Sequence, residues 1–179
     1  MRLVFGIVGL LLGGAAQAQD LRYSFEWVGG GDYVMRGAFA YDPSLAGRRV
    51  IRETDLSCFE IAGFEGDQQV GRFALRMLTP DTTWVLSFDS VMQEFIVYGA
   101  GAAMPQAWNM DGAGFNCGSP GFGFNIGNAA QDLCVNGQLI FDSQVEPSRP
   151  FPVERNEAHQ FSPDACKPEL LLGSLLKGG

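Results

Sequence analysis

The chain predicts an all-β fold, an antiparallel β-sandwich or flattened β-barrel of about ten short strands. Three observations carry this. Glycine is abundant, at 24 of 179 residues, while only 18% of side chains are charged and 12% are aromatic. Apolar and polar residues alternate at period two in short runs bounded by Gly, Pro, Asn and Asp. Heptads, longer repeats and a βαβ pattern are all missing from the sequence.

The first eighteen residues read as a cleaved signal peptide. Arg2 precedes the apolar run Leu3–Leu12, and Ala16-Gln17-Ala18 supplies an A-x-A cleavage site before Gln19. Export places the mature chain in an oxidising compartment, periplasmic or secreted. Residues 19–146 are expected to form the β-sandwich domain, and 147–179 a Pro-rich tail packed on it or tethered to it.

The first mature hairpin is the clearest element. Leu21, Tyr23, Phe25 and Trp27 share one face and Arg22, Ser24 and Glu26 the other, followed by the turn Gly29-Gly30-Gly31-Asp32. The return strand sets Tyr33, Met35, Gly37, Phe39 and Tyr41 against a mixed, wet face of Val34, Arg36, Ala38 and Ala40. A turn or single helical turn is expected near 48–56. Strands follow at about 57–64, 70–78, 83–89 and 94–99. Residues 99–123 read as a long irregular loop, a common place for function. Strands resume at 121–126, 131–135 and 138–142, the last two joined by the hairpin turn Asn136-Gly137. Five prolines between 147 and 168 predict an extended tail, with a weak helix or frayed end at 169–179.

The four cysteines, Cys58, Cys117, Cys134 and Cys166, are even in number and lack C-x-x-C spacing. They are expected to pair as Cys117–Cys134, flanking a glycine-rich hairpin, and Cys58–Cys166, tying the tail to the body. Beyond residue 18 there are 11 basic and 20 acidic side chains, a formal charge of −9. That balance argues against nucleic acid or anionic lipid as partner. The tail Leu170–Leu176 is far shorter than the roughly 20 residues of a membrane-spanning helix, so no membrane span is expected.

No motif assigns an activity, a cofactor or a metal. Gly121-Phe122-Gly123-Phe124-Asn125-Ile126-Gly127 has its third glycine one position late for a dinucleotide fingerprint, and no helix follows it. The lone His159 lies in the tail and reads as a surface histidine, without a nucleophile elbow to serve. Asn109, Asp111 and Asn116 are oxygen-bearing residues in one loop, but the D-x-D-x-D-G calcium register is absent and an Asx turn explains them equally. Trp27 and Trp84 fall on apolar faces. Trp108 lies beside Gln106, Asn109 and Asp111, a set suited to stacking a sugar ring and bonding its hydroxyls. The competing expectation makes Trp108 a core ring closing one end of the sandwich.

Tyr23-Ser24-Phe25-Glu26-Trp27, Gly37-Ala38-Phe39-Ala40-Tyr41-Asp42, Thr54-Asp55-Leu56, Phe88-Asp89, Gln106-Ala107-Trp108-Asn109, Gly121-Phe122-Gly123-Phe124 and Leu133-Cys134-Val135-Asn136-Gly137 carry a resemblance over residues 21–142. Their order resembles a loosely defined group of exported bacterial β-rich proteins of uncharacterised function, many bearing a C-terminal PEP-CTERM sorting signal. That signal's Pro-Glu-Pro, membrane helix and basic tail do not occur here. The resemblance implies secretion and a β fold.

The leading expectation is therefore a non-catalytic exported module that binds a ligand or surface component, with a glycan at Trp108, Asn109, Asp111 and Gln106 as its candidate. It requires an accessible Trp108 ring. One alternative is a carboxylate-dependent hydrolase drawing two acids from Glu26, Asp55, Glu60, Asp81, Asp89, Glu94 and Asp132, with carboxyls about 5–9.5 Å apart. The other is a carrier of a small apolar ligand, with an internal cavity lined by Phe and Leu.

Overall fold

The computed structural model describes residues 19–99 and 103–168. The predicted signal peptide and the expected end segment 169–179 lie outside the described residues. The described chain is all-β, with strands β1 (Leu21–Val28), β2 (Tyr33–Tyr41), β3 (Val50–Arg52), β4 (Leu56–Glu65), β5 (Gln68–Ala74), β6 (Thr83–Val85) and β7 (Ser87–Asp89). It continues through β8 (Glu94–Phe95), β9 (Gln106–Met110), β10 (Phe122–Ile126), β11 (Gln131–Val135), β12 (Gln138–Leu139), β13 (Phe151–Pro152) and β14 (Glu154–Arg155). The helical segments are single 3₁₀ turns, among them Glu53–Asp55 where a helical turn is expected.

Three antiparallel sheets make two layers. The first sheet, ordered β14-β1-β2-β4-β5, forms one layer by itself. The second, β12-β11-β10-β9-β6, and the third, β13-β8-β7-β3, lie side by side against its inner face. The alternation in β1 and β2 places Tyr23, Phe25, Trp27, Met35, Phe39 and Tyr41 in the core, as their period predicts. Their rings interlock with those of the opposite layer. Phe25 meets Phe95 edge-on at 4.9 Å, Phe95 meets Trp108 at 5.1 Å, and Trp108 meets Phe124 at 4.9 Å. Rings from all three sheets thus fill the space where the apolar-carrier alternative places a ligand.

Close approach of the layers needs a flat site on the first sheet. Gly63 and Gly71 pair across β4 and β5, and the Phe122 ring of the second sheet lies on both. A Cβ added to either glycine would sit 2.3–2.5 Å from that ring.

Several boundaries differ from expectation, each for a tertiary reason. The run at 83–89 is two strands, because the chain leaves the second sheet after Val85 and enters the third at Ser87. The run at 70–78 ends at Ala74 in the 3₁₀ turn Leu75–Met77. Residues 106–110, expected to be loop, form β9 at the heart of the second sheet between β10 and β6. Asn136 and Gly137 both take positive φ, 49° and 82°, in the turn between β11 and β12, as the sequence predicts.

Both disulfides pair as expected, Cys58 with Cys166 and Cys117 with Cys134. The segment after Pro147 contributes β13 to the third sheet and β14 to the first, then crosses the outer face of the first sheet as a strap. Where β5 stops opposite Glu60, the strap takes over the free edge of β4: Phe59 donates to Ala165 O at 2.7 Å and Lys167 to Ser57 O at 2.8 Å. The strap also corrects one expectation about the outer face. Ala38 and Ala40 are buried rather than wet.

Candidate functional site

The loop favoured by the sequence does not form a sugar platform. Trp108 points inward from β9 and is fully buried, so no ring face is offered for stacking. Gln106, also buried, is a structural clamp. Its Oε1 accepts from Ser87 N at 3.1 Å and Trp108 Nε1 at 3.2 Å, and its Nε2 donates to Ser87 O at 2.7 Å and Ile96 O at 2.8 Å. A buried amide with this many partners holds the second sheet to the third and leaves nothing for a ligand.

Asn109 takes a positive φ of 56°. Its Nδ2 donates to Phe122 O at 2.7 Å and its Oδ1 accepts from Thr82 Oγ1 at 3.2 Å. Asp111 closes the following turn, Oδ1 accepting from the N–H groups of Ala113, Gly114 and Phe115. Burial raises the Asp111 pKa, but these N–H donors outweigh it and hold the carboxyl below its ordinary range. Asn116 Oδ1 caps Gly118 N in the same way. Asn109, Asp111 and Asn116 border a small hollow of about 370 Å³ with Asp81 and Thr82, but their polar groups are turned into the loop. Among the described residues, no group of three or more His, Cys, Asp and Glu side chains is placed to hold a metal ion.

A larger cavity, about 770 Å³, lies on the opposite layer as a trough across the outer face of the first sheet. Strand register builds it. Glu26, Arg36, Ala62 and Arg72 form one row across β1, β2, β4 and β5; Glu154, Ser24, Ala38, Glu60 and Ala74 form the next. Alternation sends all of these outward. The strap covers the second row in part and rises as a wall carrying His159 and Ser162. Ser24 and Ala62, small and outward-facing, keep the trough open between charged rims.

Most of the charges are committed to local partners. Glu26 accepts from Arg36 Nε at 2.8 Å. Arg72 grips both carboxylate oxygens of Asp164, at 2.8 and 2.7 Å, and holds that carboxyl far below its ordinary range. Glu60 takes His159 Nε2 on Oε1 at 2.9 Å, and the Ser162 backbone N–H and hydroxyl on Oε2. In this cluster the carboxylate is central and the imidazole touches no hydroxyl. It is a latch for the strap, without the serine-to-histidine contact of a nucleophilic relay.

The remaining acids from the sequence are dispersed. Asp55 caps Arg52 N and pairs with Arg48; Asp89 caps Val91 and Met92 and pairs with Arg49. Glu94 lies on β8 in the third sheet, and Asp81 beside the small hollow. Asp132 is buried against Asn125 Nδ2 and Gln144 Nε2, and desolvation pushes its pKa up to about 6. Of the seven, only Glu26 and Glu60 reach one cavity. Their Cα atoms stand about 12 Å apart by strand spacing, and each is tied to a different partner.

The chain matches no known protein family, no curated protein and no solved structure.

Arg36, Arg72, Ser162 and Glu154 are trough residues that the sequence reading does not single out. The available signal was the outward set of β2 and β4, where Ala38, Ala40 and Ala62 stand in positions a wet face usually gives to longer polar side chains.

Proposed function

We propose that this protein is an exported, non-catalytic binding module whose ligand lies in the trough beneath the strap. The carrying observation is the trough itself. Its volume falls in the range of small-ligand sites, roughly 300–1,000 Å³, and small side chains line it between charged rims. Two disulfides support maturation in the periplasm or outside the cell, as the signal-like leader and the resemblance to exported β-rich proteins imply. Among the described residues no helix is long and apolar enough to cross a membrane. The glycan candidate at Trp108 is withdrawn with the burial of its ring.

Ala62→Trp tests this reading, because Ala62 is half-buried at the trough and an indole there would occupy the space a ligand needs. A thermal-shift panel of oligopeptides, oligosaccharides and metabolites is run on both forms. Compounds that raise the melting temperature of the wild type and leave the variant unmoved support the trough. Hits that persist in the variant, or an empty panel, overturn it.

A further inference from the structure

We infer that the trough takes a short, unblocked peptide of about three residues, its ammonium at Glu154 and its carboxylate at Arg36. This rests on the trough being the binding site. The inference comes from which charges are still free. Arg72 is saturated by Asp164, and Glu60 by His159 and Ser162. Glu154 forms no ion pair and no side-chain hydrogen bond among the described residues. Arg36 uses only Nε, on Glu26, and its guanidinium lies over the Phe64 ring at 5.4 Å, so both Nη groups keep their donors. A free carboxylate and a free guanidinium edge therefore stand on one cavity.

Their spacing sets the ligand. Glu154 and Arg36 lie two strands and one register row apart, with Cα atoms about 12 Å from each other. An extended chain advances about 3.4 Å per residue, so three residues bring opposite termini to the two groups. Between them on β1 lies Ser24, whose small side chain leaves room for a main chain laid across the strands. Neither Trp nor Tyr lines the trough, and the ring of Phe25, which borders it, is turned into the core against Phe95 and Phe151, so no aromatic face is offered for a sugar ring to stack on.

Isothermal titration with trialanine, N-acetyl-trialanine and trialanine amide tests the inference on the purified protein with both disulfides formed. Blocking either terminus should weaken binding at least tenfold. In Glu154→Gln the effect of acetylation should fall below threefold while that of amidation remains; in Arg36→Gln the pattern should reverse. Circular dichroism checks that both exposed substitutions leave the fold intact. An acetylation effect undiminished in Glu154→Gln, an amidation effect undiminished in Arg36→Gln, or equal binding of all three peptides overturns the peptide assignment. If no peptide binds while another compound is lost in Ala62→Trp, the peptide inference fails and the trough stands; if every ligand survives Ala62→Trp, both fail.

Discussion

At the scale of single residues, Asp132 is the most consequential ionisable group outside the trough. It pairs with Asn125 across β10 and β11 and is only 5% exposed. Burial raises its pKa to about 6 against donors from Gln144 and Asn125 that lower it. With the folded pKa above the unfolded one, the native state holds the proton more tightly. Stability from this group is thus complete below about pH 4, falls as pH rises to about 6, and stays reduced above, by up to about 3 kcal/mol. Calorimetry of wild type and Asp132→Asn from pH 4 to 7 should show a declining melting temperature for the wild type and a flatter profile for the variant. Parallel profiles would remove Asp132 as the cause. The depressed carboxyls of Asp89, Asp111 and Asp164 act in the opposite sense, losing their contribution as pH falls toward and below about 4.

At the scale of elements, the contact of β4 and β5 with β10 depends on two missing side chains. Phe122 lies against Gly63 and Gly71, and a methyl at Gly71 would stand 2.5 Å from the ring, with backbone fixed on both sides. Gly71→Ala should therefore destabilise by about 1–3 kcal/mol through overpacking, read as a lower urea midpoint with unchanged m-value. Pairing it with Phe122→Leu should recover part of that loss; equal loss in both backgrounds would show that strand propensity, rather than the ring, is responsible. β9 shows how an element can hide. Gln, Asn and Met in Gln106–Met110 look like loop chemistry, yet Gln106 is buried because the crossing from the second sheet to the third leaves the Ser87 N–H and the Ile96 carbonyl, a donor and an acceptor that its one amide satisfies together.

At the scale of the whole molecule, the strap ties the late chain back onto β4. The Cys58–Cys166 link spans 108 residues of sequence, and such a loop contributes about 3–5 kcal/mol in the chain-entropy model. The Cys58→Ser/Cys166→Ser double variant should lose stability of that order. Amide exchange should speed first at Phe59 and Lys167, whose bonds hold the strap edge. Exchange at those amides as slow as in wild type would show that the Glu60 latch and the Arg72–Asp164 pair hold the strap unaided. Because the strap also walls the trough, the same variant connects stability to binding.

By itself the sequence determined the all-β class, the first hairpin with its buried face and the Asn136-Gly137 turn; among three possible cysteine pairings it favoured the one the structure forms. The first three depend on short-range alternation and turn chemistry. Only the tertiary structure decided that Trp108 is core, that 83–89 divides between two sheets, and that Glu26, Arg36, Glu60, Glu154 and His159 meet around one cavity. Those facts depend on strand register between distant segments and on a strap returning from the end of the chain. Alternation tells which way a side chain faces, but it does not tell what lies across from it.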